Sequence, residues 1–306
     1  MKSVFFLCIF AICIGQLNSL TCLEEQSRLQ AQVKTLELKV KQQQLKIMQL
    51  LTQREALGAL SDNGNVIELE GKRYADCAEI YNAGHHQSAF YNIQPLMSSR
   101  SFWVYCDMTE GGGWTVIQRR VDGSVGFDRD WNDYKQGFGN FQSDNGEYWL
   151  GNDNIHYLTS QGDYNLRINL QDFEEGSRHA EYTNFKVGQE QDSYPLSFGS
   201  YSGSAGDSLS GGFHPEVQWW ANHNGMKFST RDRDNDRYEK NCAKEDRSGW
   251  WFNRCHAANL NGLYYNGPYS ADTDNGIVWY TWRGWWYSLK SVVMKIRPAS
   301  FQSTTK

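Results

Sequence analysis

Between residues 22 and 57 the apolar residues recur at alternating intervals of three and four. Val33, Val40 and Ile47 fall on one position of a seven-residue repeat. Leu29, Leu36, Leu50 and Leu57 fall on the other, where Gln43 is the single polar residue. The stretch holds no Gly, Pro or aromatic residue. A stripe this narrow matches a coiled-coil seam, and β-branched residues alternating with Leu favour two parallel strands. The pattern therefore predicts a short parallel coiled coil over 22–57; the other reading is a single amphipathic helix docked on the rest of the chain. Gly58, Asn63-Gly64 and Gly71 then break the repeat, so 58–73 reads as a linker.

From Tyr74 the period changes. "YNLRINL" (164–170) alternates strictly, with Tyr164, Leu166, Ile168 and Leu170 on one face, as a half-buried antiparallel strand requires. "FWVYCDM" and "WTVIQRR" read as two strands joined by the Gly-rich turn "TEGGG". "GEYWLGNDNIHYLTSQ" (146–161) is expected to be helical, 197–213 a long polar loop, and "LKSVVMKIRP" a closing strand stopped by Pro298. Strands and helices mix without a βαβ rhythm, which makes the unit over 74–300 an α+β domain. In a chain with 12 Trp and 17 Tyr its core is expected to be aromatic. Of the pairs Trp219-Trp220, Trp250-Trp251 and Trp285-Trp286, one member each is expected in the core and the other partly exposed.

The ends add compartment and assembly. Lys2 followed by the apolar run Val4 to Ile14 is too short to span a bilayer and reads as a secretory signal peptide within 1–20. The mature chain is expected to be secreted and soluble, and it has no Asn-x-Ser/Thr sequon. A net charge of −5 gives no reason to expect a nucleic-acid partner. Of seven Cys, Cys8 and Cys13 leave with the leader, so Cys22, Cys77, Cys106, Cys242 and Cys255 remain. Four are expected to pair, in any of three connectivities. The seven-residue repeat places Cys22 on the seam, where it would meet Cys22 of a second chain and lock a homodimer.

"RDRDNDRYEKNC" (231–242) sets Asp232, Asp234 and Asp236 on every second residue among Arg231, Arg233 and Arg237. It is not an EF-hand: counting from Asp232 the twelfth residue is Ala243, and counting from Asp234 the sixth is Glu239, where Gly is needed. Two readings stand: a cation site built from carboxylates and backbone carbonyls, or a charge run in which the arginines neutralise the acids.

"WWFNRCHAANLNG" (250–262), "YCDMTEGGGWTVIQRR" (105–120), "GEYWLGN" (146–152) and "DNGIVWYTW" (274–282) resemble the fibrinogen C-terminal domain family over roughly residues 74 to 298. The resemblance implies a globe of mixed, largely antiparallel sheet with short helices and long loops. It also implies the bridges Cys77–Cys106 and Cys242–Cys255, and a cis peptide between Arg254 and Cys255. It implies that the acidic loop holds a structural Ca2+ through the Asp234 and Asp236 carboxylates and the Tyr238 and Lys240 carbonyls, with Asp232 outside the ligand set. Two positions depart from the family: Arg231 where Trp is common, and Lys240 where Gly is common, which points to left-handed backbone at Lys240.

Beside that loop the family carries a ligand pocket, which on this chain falls at Asp246, Arg254, His256, Asp274 and Trp285. Fibrinogen takes a peptide amino terminus there, and ficolin-like lectins take acetyl groups. For the peptide, Asp246, His256 and Asp274 match, while Glu245 and Trp285 replace a carboxamide and an arginine. For the acetyl group, Asp246 and Thr273 stand where tyrosines are expected, and a carboxylate is a poor host for a methyl. His256 also has the plainer reading of a structural histidine. With its leader and coil, the chain resembles a liver-derived member of the family that signals growth to hepatocytes. That member is also a ligand of an inhibitory T-cell receptor, the lymphocyte-activation gene 3 protein, and restrains T-cell activation. The resemblance implies the same partner for the globe here, with the coil supplying bivalency; a calcium-dependent lectin for acetylated glycans is the alternative.

An enzyme is not expected. "GDSL" (206–209) and "DNIH" (153–156) copy the Ser and Asp-x-x-His blocks of an esterase family. They occur in reversed order, with Ser208 in a Gly/Ser loop, and a four-residue match is weak.

Overall fold

The computed structural model describes residues 72–302, Val66, Ile67 and Leu69, and positions 27, 28, 30, 32–36, 39 and 43. Those last positions are helical, and Val33 and Leu36, both on the predicted seam, are exposed in the single chain. The leader, Cys22 and the rest of the predicted coil lie outside the described residues. The chain divides into units 1–63 and 64–306, and the second forms the globe.

In chain order the elements of the globe begin with β1 (Val66–Ile67), α1 (Cys77–Asn82), β2 (Ala89–Ile93), β3 (Phe102–Asp107) and β4 (Trp114–Arg120). Next come α2 (Trp131–Gln136), β5 (Phe138–Gly139), β6 (Tyr148–Trp149), α3 (Asn152–Ser160), β7 (Tyr164–Gln171) and β8 (Ser177–Tyr182). The short strands β9 (Lys186–Val187), β10 (Leu196–Ser197) and β11 (Tyr201–Gly203) lead to α4 (Pro215–Ala221) and α5 (Cys242–Glu245). The chain closes with β12 (Ala258–Asn259), β13 (Gly267–Pro268), β14 (Val278–Trp279), α6 (Tyr280–Arg283), β15 (Tyr287–Ser288) and β16 (Ser291–Pro298).

The main sheet runs β1-β2-β3-β4-β16-β7-β8-β11, with β6 on β4 and β5 on β6. β16 enters between β4 and β7, antiparallel to both, so the last strand seals the sheet. Its register against β7 sets Met294 opposite Ile168 and Ile296 opposite Leu166, on the buried face that the alternation of 164–170 anticipated. The strands expected at 102–107 and 114–120 form, and the turn between them carries left-handed Gly111, Gly112 and Gly113. At Gly112 a Cβ would stand 2.0 Å from the Tyr81 ring, so the turn needs Gly for space as well as for φ.

Three expectations are corrected. Residues 146–151 are not helical: β6 comes first, and α3 starts only at Asn152. Gly151, at φ +104° and pressed on the Gln136 backbone, turns the chain between them. The stretch 58–73 is not all linker, because Val66–Ile67 pairs in parallel with β2. The stretch 197–213 closes its first turn with β11 on β8.

The core behind the later loops is aromatic. Phe228 packs against Trp131, Tyr134, Trp149 and Trp251. Trp250 and Trp251 are both fully buried, whereas Trp219 and Trp286 are exposed and Trp220 and Trp285 half-buried. The expected division within each pair therefore fails: the 250–251 pair belongs to the core, and the other two pairs stay at the surface. Glu147, fully buried in the "GEYWLGN" stretch, acts as an internal template. Its Oε1 accepts the N–H groups of Val121, Asp122 and Gly123, its Oε2 accepts that of Val125, and Arg120 lies 3.5 Å away. One carboxylate thus shapes the loop after β4.

Candidate functional site

The bridge Cys242–Cys255 forms, as does Cys77–Cys106, and the Arg254–Cys255 peptide is cis. Cys242–Cys255 ties α5 to the segment carrying His256. α5 has one turn, and it is capped by Asn241, whose side chain accepts the Lys244 N–H at 2.8 Å. It ends at Asp246, whose N–H reaches the Cys242 carbonyl. Asp274 arrives on the loop before β14, where the Thr273 hydroxyl donates to the Glu245 carbonyl at 2.8 Å and the Leu263 N–H to the Asn275 carbonyl. Gly262, at the end of "WWFNRCHAANLNG", lets this loop close: a Cβ there would stand 1.9 Å from the Gly276 carbonyl oxygen.

Three segments thereby bring Asp246, His256 and Asp274 together. His256 Nε2 lies 3.5 Å from Asp246 Oδ2 and 3.7 Å from Asp274 Oδ2. Asp246 is 2% exposed and His256 1%, while the Asp274 side chain is 34% exposed and opens the cluster to solvent. Neither ring nitrogen of His256 has a hydrogen-bond partner among the described residues, nor does Asp246 Oδ2. Burial, with Asp274, Glu245 and Asp236 nearby and His256 opposing, pushes the Asp246 carboxyl up to about 7. Among the described residues no Lys or Arg pairs with Asp246 or Asp274; His256 is the one basic side chain that the two carboxyls face.

The other two predicted pocket residues divide. Trp285 joins the cluster: its Nε1–H donates to the His256 carbonyl at 3.3 Å. Its ring lies 3.7 Å from that of Tyr280 and stacks on Trp220, while Tyr280 stacks on Phe213. Arg254 does not bring its charge into the cluster; its guanidinium pairs with Glu239 at 3.0 Å and lies over Trp219. Sequence reasoning placed Trp285 at the pocket but missed that Phe213 and Trp220, from a second stretch, join it and Tyr280 in one aromatic run.

In the acidic loop the arginines turn elsewhere. Arg231 pairs with Asp130 and Asp128, and Arg233 lies over the Trp131 ring. Asp232 is held by the Trp131 N–H and the Thr230 hydroxyl. No ion pair of the described residues reaches Asp234 or Asp236. These two stay together, with the Asp236 N–H donating to Asp234 Oδ1 at 3.2 Å. Burial and the neighbouring Asp234 push the Asp236 carboxyl up to about 7, against the Tyr238 and Cys242 N–H groups that it accepts. No backbone N–H outside helices and strands donates to the Tyr238 or Lys240 carbonyl. Two adjacent carboxylates without a counter-charge and two unengaged carbonyls are a donor set that suits a hard cation. Lys240 does not have the left-handed backbone that the family's Gly suggested; it pairs with Glu245 at 3.3 Å.

The residues of the two esterase-like blocks are hydrogen-bonded to other groups. Ser208 is buried and its Oγ shares a hydrogen bond with Thr281, while His156 Nδ1 lies 2.9 Å from the Val187 carbonyl.

The family described as "Fibrinogen beta and gamma chains, C-terminal globular domain" matches residues 73–299. The chain belongs to this family. Its fibrinogen-like globe accompanies likeness over nearly the whole chain. Fibrinogen-like protein 1 of Bos taurus is 65% identical over 303 residues, spanning 97% of this chain and 96% of that one. The Homo sapiens protein of the same name is 66% identical over 282 residues, spanning 92% and 90%. Among solved structures, lamprey fibrin D-dimer complexed with the peptide Gly-His-Arg-Pro-amide matches with a TM-score of 0.72 at 38% identity, over 95% of this chain and 97% of that one. The globe carries the two disulfides that the family likeness implied, and no helix of the described residues is long and apolar enough to cross a membrane.

Proposed function

We propose that the protein is a secreted, non-catalytic ligand whose fibrinogen-like globe grips a cationic group of a protein partner between Asp246 and Asp274. The observation that carries this reading is the buried acid–histidine cluster, open on the Asp274 side and with no Lys or Arg paired to it among the described residues. An ammonium or guanidinium group supplies the missing charge and the donors for the unpartnered acceptors. Trp285 and Tyr280 beside it offer aromatic faces of the kind enriched in protein interfaces. The partner is the receptor named lymphocyte-activation gene 3 protein, through which the ligand restrains T-cell activation; growth signalling to hepatocytes is its second role. A homodimer through the coil and Cys22 makes the ligand bivalent. The lectin alternative is less well supported, because Thr273 is tied to the Glu245 carbonyl and a carboxylate stands where an acetyl methyl needs an apolar wall.

The pocket chemistry is tested by titrating the full chain with Gly-His-Arg-Pro-amide and with the same peptide acetylated at its amino terminus. The free amine is expected to bind, and acetylation to weaken it by roughly tenfold or more, since one charge-assisted contact is worth about 1.5–3 kcal/mol. Equal affinity for the two peptides sinks the reading.

Calcium in the neighbouring loop belongs to the same proposal. Asp234, Asp236, Tyr238 and Lys240 would hold it, and it would neutralise the two acids beside the pocket. Calcium at a hundredfold excess over its Kd is expected to stabilise the chain by about 2.7 kcal/mol, and Asp234→Ala to abolish that gain. Asp234→Ala suits the purpose because, among the described residues, its carboxylate is engaged by Asp236 alone, through that residue's N–H and carboxyl. A thermal midpoint in the wild-type chain that ignores both calcium and chelator contradicts the assignment.

A further inference from the structure

The orphaned atoms of the pocket do more than mark a negative charge. The cluster offers one imidazole nitrogen and two carboxylate oxygens, all within 4.8 Å of one another. We infer that Asp246 Oδ2, His256 Nε2 and Asp274 Oδ2 form a binding site for one divalent metal ion of the zinc class, separate from the acidic loop.

The spacing fits such an ion. Ligand bonds of about 2.0–2.1 Å in a tetrahedron put neighbouring ligand atoms roughly 3.3 Å apart. The observed separations of 3.5 and 3.7 Å from Nε2 lie close to that edge without any direct hydrogen bond between the groups. Spacing slightly longer than a hydrogen bond leaves room for an ion between them.

The charges and ligand types fit as well. Metal binding takes the carboxylates ionised and the imidazole neutral, and the charge of about −2 that they then carry is cancelled by a divalent ion. Calcium and magnesium take oxygen ligands, whereas imidazole suits Zn, Cu, Fe and Ni. The site therefore differs in kind from the all-oxygen loop at 234–240. His256 Nδ1, the nitrogen that a hydrogen bond usually orients in a metal-bound histidine, has no partner among the described residues. The ring is instead held beside Phe252, one residue from the Cys242–Cys255 bridge.

Three protein ligands leave a fourth position open, and the Asp274 side chain, 34% exposed, gives solvent access to the site. A site of this kind exchanges its metal. Because the same two carboxylates are proposed to take a cationic group, zinc and that group exclude each other, and zinc would act as a reversible stopper of the pocket. The metal site itself does not depend on the partner reading.

The test uses the full chain with its calcium loop saturated. Zinc is titrated calorimetrically, and cobalt(II) is added separately as a probe whose visible absorption reports coordination by nitrogen and oxygen. One zinc per chain is expected, together with cobalt bands that zinc erases. Asp274→Asn, at the solvent edge, is expected to weaken zinc by more than about tenfold, and His256→Gln to abolish the cobalt bands. Unfolding midpoints in chelator confirm that the Asp274 variant is folded. No zinc binding to the calcium-loaded chain, or zinc binding unchanged by Asp274→Asn, overturns the proposal. The titration with the free-amine peptide, run in calcium with no zinc added, reports on the cationic-group reading alone. A chain that binds zinc but not that peptide upholds this site and rejects the cationic-group reading.

Discussion

Glu147→Ala is expected to destabilise the domain by about 4 kcal/mol, a fall in Tm on the order of 10 °C. The substitution strands Arg120, fully buried, without its carboxylate partner 3.5 Å away. It also leaves the N–H groups of Val121, Asp122, Gly123 and Val125 without their acceptor. Breaking a buried pair from one side costs about 3–5 kcal/mol, a large share of a stability of about 5–15 kcal/mol. Arg120→Met is expected to cost less. Glu147 keeps its four N–H donors there, and the Leu260 and Gly262 carbonyls that Arg120 Nη1 serves lose only one donor. Denaturant midpoints of the two variants check the order. A smaller loss for Glu147→Ala than for Arg120→Met would show that the carboxylate is not the organiser of this loop.

Charge reversal at Asp274 is expected to weaken capture of a cationic partner by about 2 kcal/mol, roughly thirtyfold, while leaving the unfolding midpoint within about 0.5 kcal/mol. The side chain is 34% exposed, so solvent screens part of the interaction and the upper range for a fully buried pair does not apply. Trp285→Ala is expected to cost about tenfold or more by a different route, removing the ring packed between Tyr280 and Trp220 and the donor to the His256 carbonyl. The salt dependence separates the two routes: in the wild-type chain binding weakens with added salt, and in Asp274→Lys that slope flattens. Equal salt slopes in wild type and Asp274→Lys would remove the pocket from the interface.

The sheet was legible where one face is buried. In 164–170 a period of two is enough, because a slip by one residue would put Leu166 and Ile168 into water. The stretch 146–152 misled because its residues answer to tertiary demands rather than to periodicity: Glu147 serves a distant loop, and Gly151 serves a close approach to Gln136. The chemistry of the site was legible only through the family likeness. Residues 246, 256 and 274 are spread over three loops, and nothing local says that they meet. The fate of the arginines was hidden for the same reason. Arg231 finds Asp130, 101 residues away, so the charge run is not self-neutralised, and Asp234 and Asp236 have no ion-pair partner among the described residues. Trp219-Trp220 and Trp285-Trp286 come to the surface while Trp250-Trp251 is buried, and no local pattern tells the pairs apart.

The most direct test of the pocket as the partner site is equilibrium binding of the full chain to the ectodomain of the lymphocyte-activation gene 3 receptor. Wild type and Asp274→Lys are compared, in calcium, in chelator and with excess N-acetylated sugar. The account predicts saturable binding by wild type that ignores the sugar, falls in chelator and drops by roughly thirtyfold in Asp274→Lys. Binding unchanged by Asp274→Lys, or absent with wild type while acetylated glycans are captured instead, would contradict it.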